Sequence, residues 1–472
     1  MIPAAAFAGR KVAVFGLART GLAAARALVL GGAEVACWDE KPPAREQAAR
    51  EGLPVVDLQA ADWSGLDALL LSPGVPLYFP KPHWTVDKAR AAGVEIIGDA
   101  EVFARTVNAA PAWRRPKIAA ITGTNGKSTT TALLGHIVAE AGKDVRLGGN
   151  IGYGILGLDD MHGGAVYVLE LSSYQLDLTS SLKCDAAVLL NISPDHLDRH
   201  GTMENYVAAK RRIFLNQGVG DTAVVGVDDP YCQQICTELV AANRRTIRPI
   251  SARRAMGRGV YALQGLLYDA TGERTIEVAD LGQARALVGR HNWQNAAAAY
   301  AAALAVGIAP EVAAEALLSF PGLAHRMEEV GALGRVRFIN DSKATNADAA
   351  RQAMEALPRF RWIAGGRAKS GGIAPLSDLF GKVEKAYLIG EAAEDFAREI
   401  GEAAPHIVCG DLEHAVAAAY RDAQASGREE VVLLSPACAS FDQFADFEVR
   451  GDAFRALVQA LAAPSAAAKA AG

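Results

Sequence analysis

Lys117–Thr131 reads KIAAITGTNGKSTTT, and the order of its residues decides the fold. Pro116 interrupts what precedes it. Ile118, Ala119, Ala120 and Ile121 then form a short apolar run of the kind shown by a strand buried on both faces. A polar turn follows, Gly123-Thr124-Asn125-Gly126-Lys127-Ser128-Thr129. Beyond it Leu133, Leu134, Ile137 and Val138 recur at helical spacing until Gly142. Strand, glycine loop and helix together turn backbone N–H groups and a helix N-terminus towards an anion. Lys127 adds positive charge there, and Ser128 adds a hydroxyl within reach of a magnesium ion. The pattern is a variant of the phosphate loop, because Ile121 stands where the common form has its first glycine. The alternative is a plain Gly/Asn turn with a solvated lysine.

Upstream, residues 11 to 105 read as a first α/β unit. Strands are expected at Lys11–Phe15, Val35–Trp38 and Ala68–Leu71, with a helix after Gly16-Leu17-Ala18-Arg19-Thr20-Gly21. Asp39 follows the second strand, which resembles a dinucleotide site, but the middle glycine is missing and Ala18 and Arg19 fill its place. Two readings stay open: a structural turn, or a site for a nucleotide diphosphate held in another way. Ser72-Pro73-Gly74-Val75-Pro76 is a second loop at the same edge. Residues 106 to 116 carry two prolines and two arginines and suit a linker.

Downstream, Gly148-Gly149-Asn150-Ile151-Gly152 is another glycine loop, and a strand over Val166–Leu171 carries Glu170 near its end. A carboxylate there needs a partner, either a metal ion or a basic side chain at an edge. The strand Ala186–Ile192 leads to Asp195-His196-Leu197-Asp198-Arg199-His200, which reads as a ligand loop. On the helix Glu204–Phe214, Lys210 falls on the apolar stripe of Tyr206, Val207, Ile213 and Phe214. Such a lysine either snorkels to solvent or is chemically special, since burial makes a neutral amine available. Asn292 and Asn295 share a face at the start of an alanine-rich helix. Asn292 is either its N-cap or, with Asn295, a base-recognising pair.

From residue 323 onward, strands at Val336–Ile339, Arg361–Ala364, Ala386–Ile389 and Val431–Leu434 alternate with helices, which predicts a parallel sheet. Their trailing loops, 340–346, 365–369 and 435–440, should gather at one edge. Each alone reads equally as an ordinary polar turn.

The chain has 472 residues, 51% hydrophobic and 21% charged, which suits about three soluble domains. A net charge of −5 offers no basic surface for nucleic acid. The six cysteines form no zinc set and read as free thiols. No signal peptide or membrane-spanning run is visible, so a cytoplasmic protein is expected.

As a set, GTNGKST, ELSSYQL, DHLDRHG, YVAAK, HNWQN, LAHR, NDSKATN and SPACASFDQF resemble the Mur ligases of peptidoglycan synthesis. The last two single out the D-glutamate-adding members. The resemblance covers essentially the whole chain. It implies an α/β protein of three domains: a Rossmann-like UDP-sugar-binding domain (1–106), a P-loop-type ATPase domain with a mostly parallel sheet (107–322), and a Rossmann-like amino-acid- and ATP-binding domain (323–472). It further implies a monomeric ligase that uses ATP and two Mg2+ ions to join D-glutamate to UDP-N-acetylmuramoyl-L-alanine through an acyl phosphate. By resemblance, Gly123–Thr129 cradle the phosphates, with Lys127 on the β/γ pair. Ser128, Glu170, His196 and a carbamylated Lys210 hold magnesium, and Lys127, Glu170, His196 and Lys210 form the catalytic set. Asn292 and Asn295 lie near the adenine, while Arg326, Asp341 and Lys343 serve the ATP phosphates. Thr345, Lys369, Ser440 and Phe447 match positions for D-glutamate; Arg19, Thr20, Gly74, Asn150, Ser172 and Gln175 match the UDP-sugar side. The chain departs from relatives at Asp39-Glu40-Lys41, where a hydroxyl and an arginine are common, and at Arg367, where an acid is common.

Overall fold

The computed structural model describes residues 1–284, 286–287, 289–368 and 371–462. The chain divides into two compact units, Met1–Pro321 and the remainder from Gly322.

The first unit carries two sheets. Strands β1 (Lys11–Phe15), β2 (Glu34–Trp38), β3 (Ala68–Leu71) and β4 (Glu95–Ile97) form an all-parallel sheet in the order β2-β1-β3-β4. The order reverses beside β1, so the loops after β1 and β3 open at a switch point, where such sheets bind ligands. Those two loops are tied together: Ser72 N–H donates to Phe15 O at 3.0 Å and Ser72 Oγ to Gly16 O at 2.7 Å.

The second sheet has nine strands: β5 (Lys117–Thr122), β6 (Asp144–Gly149), β7 (Ala165–Glu170), β8 (Ala186–Leu189), β9 (Thr222–Gly226), β10 (Thr246–Ser251), β11 (Val260–Leu263), β12 (Leu266–Asp269) and β13 (Ile276–Asp280). Their order is β13-β12-β11-β10-β9-β8-β5-β7-β6. It is parallel except where β12 pairs with β11 and β13. The apolar run that opens the reading is its central strand. Ile118 and Ala120 enter one hydrophobic cluster while Ala119 and Ile121 enter another on the opposite face. Leu133, Leu134, Ile137 and Val138 of the Lys127–Glu140 helix join the second cluster. So do Ala296–Ala303 of the Arg290–Ala305 helix, where small side chains let two helices and the sheet approach closely.

Residues 106 to 109 are not linker. They finish the helix Asp99–Ala109, because Val102, Phe103 and Val107 bury an apolar stripe in a cluster that runs from Val12 and Val14 to Tyr167 and Leu169. The first two sheets thus share one core.

In the second unit, β14 (Glu328–Leu333), β15 (Val336–Asn340), β16 (Phe360–Gly365), β17 (Val383–Ile389), β18 (His406–Gly410) and β19 (Glu430–Leu434) form a sheet ordered β14-β15-β19-β16-β17-β18. Only β14 is antiparallel. No described helix is long and apolar enough to cross a membrane. All six cysteines are unpaired.

Candidate functional site

β5 delivers the glycine loop to the middle of the C-terminal edge of its sheet, between the loops after β7 and β8. Gly126 is the N-cap of the Lys127–Glu140 helix and sits at φ 84°, a left-handed conformation that glycine adopts without strain. A Cβ on Gly126 would also lie 2.2 Å from Asn295 Oδ1, so Asn295 closes directly over the loop. Asn295 Nδ2 donates to Asn292 Oδ1 at 3.1 Å. The N-cap of their helix is Gly289, which settles the position of Asn292: it stands inside the first turn, beside Asn295. The loop is anchored to residues after β8. Thr124 N–H donates to Asn191 O at 2.8 Å and Asn125 N–H to Asn191 Oδ1 at 2.9 Å. Lys127 Nζ donates to Gly123 O and Thr124 O, which keeps its charge at the helix N-terminus.

Lys210 does not snorkel. It is 2% exposed, and its Nζ donates to Gly123 O at 2.8 Å and lies 4.7 Å from the centre of the Tyr206 ring. Burial, and secondly the charge of Lys127, push its amine down to about 7. Tyr206 OH pairs with Thr124 Oγ1 at 3.1 Å, which fixes the Lys210 helix to the phosphate loop. Lys127, Lys210, His196, Tyr206, Asn150 and Ser172 help line a cavity of about 60 Å³.

Glu170, at the end of β7, is 2% exposed. Its Oε1 accepts from Asn150 Nδ2 at 3.0 Å, while Oε2 is buried without a hydrogen-bonding partner. An orphaned carboxylate oxygen between a glycine loop and the phosphate loop suits a hard cation. Magnesium usually takes one or two protein carboxylates and completes its shell with phosphate oxygens and water. In the 195–200 loop, Asp195 Oδ2 lies 3.4 Å from His196 Nε2. His196 faces the cavity, Asp198 is exposed, and His200 is buried against Ser173. Among the described residues no three His, Cys, Asp or Glu side chains cluster to hold an ion.

In the second unit the loops after β15, β16 and β19 meet as the strand order demands. Asp341 N–H donates to Leu434 O at 2.7 Å and Gly365 N–H to Pro436 O at 2.9 Å. Asp341 is buried and accepts from Ser435 Oγ at 2.7 Å; desolvation lifts its carboxyl to about 7. Lys343 Nζ stands 5.8 Å from the centre of the Phe447 ring. Behind the loops, Arg450 is 1% exposed and donates to Ser342 Oγ, Ser342 O and Cys438 O.

Two family models match these regions. The Mur ligase middle domain matches residues 121–303, and the Mur ligase, glutamate ligase domain matches 325–438. A UDP-N-acetylmuramoylalanine–D-glutamate ligase of Caulobacter sp. (strain K31) is 73% identical over 466 residues, covering 99% of both chains. The chain belongs to the UDP-N-acetylmuramoylalanine–D-glutamate ligase family. A relative of the same name from Phenylobacterium zucineum is 72% identical and covers 98% of both chains. In fold, the chain is similar to the crystal structure of UDP-N-acetylmuramate-alanine ligase MurC from Thermotoga maritima. That likeness has a TM-score of 0.55 at 17% identity and covers 96% of this chain and 99% of that one.

Within this family frame, the first unit brings together Gly123–Thr129, Glu170, His196, Lys210, Asn150, Ser172, Asn292 and Asn295. Arg19 and Thr20 open the helix Arg19–Leu30 after β1, and Gly74 is exposed in the loop after β3. A Cβ on Gly154 would lie 3.6 Å from Thr20 Cα, so the loop after β6 runs beside that helix start. Gln175 is different: its Oε1 accepts from Ser172 N–H and Oγ–H, and its Nε2 donates to buried Asp99. Its side chain is occupied by protein partners. Asp39 accepts from Leu17 N–H at 2.6 Å and from Lys41 N–H at 2.8 Å, so this acid braces the first glycine loop. Arg326, Thr345, Ser440 and Phe447 lie on or beside the second unit's loops; Lys369 lies outside the described residues. Arg367 is paired with Glu391 at 2.9 Å. Sequence reasoning missed Asn191, the hydrogen-bonding hydroxyl of Tyr206, Asp99 and Arg450. Only Asn191, a polar residue just past a buried strand, carried a local signal.

Proposed function

We propose that the chain joins D-glutamate to the carboxylate of UDP-N-acetylmuramoyl-L-alanine, with ATP as the activating nucleotide. The observation that carries the reading is Lys210: a buried amine set on the same carbonyl oxygen as the phosphate-loop lysine, inside a cavity that both line. A P-loop switch has no use for it. The loop amides, the helix N-terminus and Lys127 orient the nucleotide's β- and γ-phosphates. The acceptor carboxylate takes the γ-phosphoryl group, and the amine of D-glutamate then displaces phosphate from the acyl phosphate. Asn292 and Asn295 are assigned to the adenine, and Arg19, Thr20, Gly74, Asn150 and Ser172 to the UDP-sugar. Arg326, Asp341 and Lys343 are assigned to the ATP phosphates, and Thr345, Lys369, Ser440 and Phe447 to D-glutamate.

Ser128, Glu170 and His196 are the residues to hold magnesium, two ions in all, with Lys210 joining them as a carbamate. The carbamate forms when the neutral amine adds to CO2, making an N–C bond and releasing one proton. Bound magnesium supplies charge neutralisation at phosphoryl oxygens. The chain's own groups exclude water and fix the reacting atoms in line.

Phosphate release, measured with acceptor and amino acid varied independently, tests this. Release is expected only with ATP, the UDP-muramoyl-alanine acceptor and D-glutamate together. Release with L-lysine in place of D-glutamate, or without any acceptor, overturns the assignment.

A further inference from the structure

Ser173 opens the Ser173–Asp177 helix beside the cavity that Lys210 and His196 line, and it is 2% exposed. None of the roles assigned above uses it. Its Oγ is 2.9 Å from His200 Nε2. The His200 ring is 4% exposed and lies between Tyr174 and Tyr206, with centroids 5.5 and 5.3 Å away. Its other nitrogen, Nδ1, is 3.4 Å from Asp177 Oδ2.

A neutral imidazole has one donor and one acceptor nitrogen. The negative charge of Asp177 beside Nδ1 favours the proton there. Nε2 is then the acceptor, and Ser173 Oγ–H donates to it. The hydroxyl's single proton is committed to His200, and its lone pairs remain for the cavity. A ring that served only to fill space between two tyrosines needs no nitrogen there, since a buried polar atom costs free energy unless it is bonded.

We propose that His200 is a positioning residue that, oriented by Asp177, holds the Ser173 hydroxyl as an acceptor for an N–H donor of the bound sugar-peptide. The alanyl amide N–H is the donor next to the reacting carboxylate. Ser173 so held fixes that carboxylate for attack on the γ-phosphorus. The inference rests on the ligase reading above.

Steady-state kinetics of His200→Phe, Ser173→Ala and the double variant test it. His200→Phe keeps an aromatic ring between the tyrosines and removes the acceptor. Its kcat should fall about 10- to 100-fold, as misplacement of a reacting group does, with the KM for ATP within about twofold. Ser173→Ala should fall by a similar factor, and the double variant no further than the worse single one, because both break one unit. His200→Gln, which returns an acceptor near the Nε2 position, should recover several-fold over His200→Phe. If His200→Phe fails to fold, Ser173→Ala and His200→Gln carry the comparison. A His200→Phe kcat within twofold of wild type, a double variant whose loss is the product of the singles, or no recovery in His200→Gln overturns the proposal. Wild-type protein without D-glutamate-dependent phosphate release overturns the ligase reading instead.

Discussion

Lys210 and Lys127 donate to one backbone oxygen: their Nζ atoms stand 2.8 and 3.0 Å from Gly123 O. Two ammonium groups around a single carbonyl repel each other, and the buried one yields. Burial is the larger cause and this repulsion the second; together they push the Lys210 amine down to about 7 while its hydrocarbon stem remains in the core.

A neutral buried amine is nucleophilic towards CO2, so Lys210→Ala should lose at least about 100-fold in kcat, the scale on which misplaced phosphoryl-transfer groups act. Bicarbonate or a short carboxylic acid such as acetate should restore part of it by supplying the missing anion. Phosphate release by Lys210→Ala with and without added acetate checks both halves. Full loss without any rescue argues against the carbamate.

Gly126 answers to two constraints at once. Its φ of 84° disfavours any side chain, and a Cβ would sit 2.2 Å from Asn295 Oδ1. Gly126→Ala should therefore cost about 1–3 kcal/mol in the loop and push Asn295 off the position proposed to meet the nucleotide. The expected outcome is a KM for ATP raised about 10-fold or more, with the KM for D-glutamate unchanged. A variant with wild-type ATP dependence contradicts the placement of Asn295 over the loop.

How much of this was legible beforehand depends on distance along the chain. The central strand, phosphate loop and following helix are adjacent in sequence, and their period switch announces them. Lys210 was legible as an anomaly because its neighbours at three and four residues are apolar. Its partner, Gly123 O, was not legible, since 87 residues separate them and only the β5–β8 edge brings them together. The same holds for Gln175 and Asp99, which are 76 residues apart. The strands β14 and β18 escaped because both are edges. Glu328 and Glu329 on one, and half-exposed Ile407 and Val408 on the other, break the buried pattern that marks the inner strands. The span 106–109 was misread because two prolines nearby outweighed Phe103 and Val107, whose stripe carries the helix to Ala109.

Asp341 makes stability depend on pH in a stated direction. Its carboxyl is lifted from 3.8 to about 7 by burial, against the bond from Ser435. Between those values the folded state binds more protons than the unfolded one, so stability falls as pH rises from about 4 to about 7. The contribution is fully present below the unfolded value and is lost above the folded one. The slope from this single group is at most about 1.4 kcal/mol per pH unit. Asp341→Asn removes it. Urea midpoints at pH 5 and pH 7.5 should therefore differ less in Asp341→Asn than in wild type. Equal pH dependence in the two proteins argues against a protonated Asp341.

Arg450 ties two loops together without a carboxylate to neutralise it. Nε donates to Ser342 Oγ at 3.0 Å; Nη2 donates to Ser342 O at 2.9 Å and Cys438 O at 3.1 Å. Nη1 is buried without a partner, and burial lowers the guanidinium to about 10. Ser342 also donates to Phe447 O at 2.8 Å, so the planar fork sets the loop after β15, the loop after β19 and the start of the last helix relative to one another. Those segments carry Thr345, Ser440 and Phe447. Lysine keeps the charge, but a single ammonium cannot reproduce a rigid fork that serves three acceptors. Arg450→Lys should lose about 1–3 kcal/mol of stability through the unmet carbonyls. It should also raise the KM for D-glutamate about 10-fold, leaving the KM for the UDP-linked acceptor within about twofold, because the loops that lose their brace carry residues proposed for D-glutamate and ATP and none proposed for the UDP-sugar. Thermal melts and three-substrate kinetics read both. A melt and a D-glutamate KM matching wild type in Arg450→Lys mean that charge alone, not the fork, holds the loops.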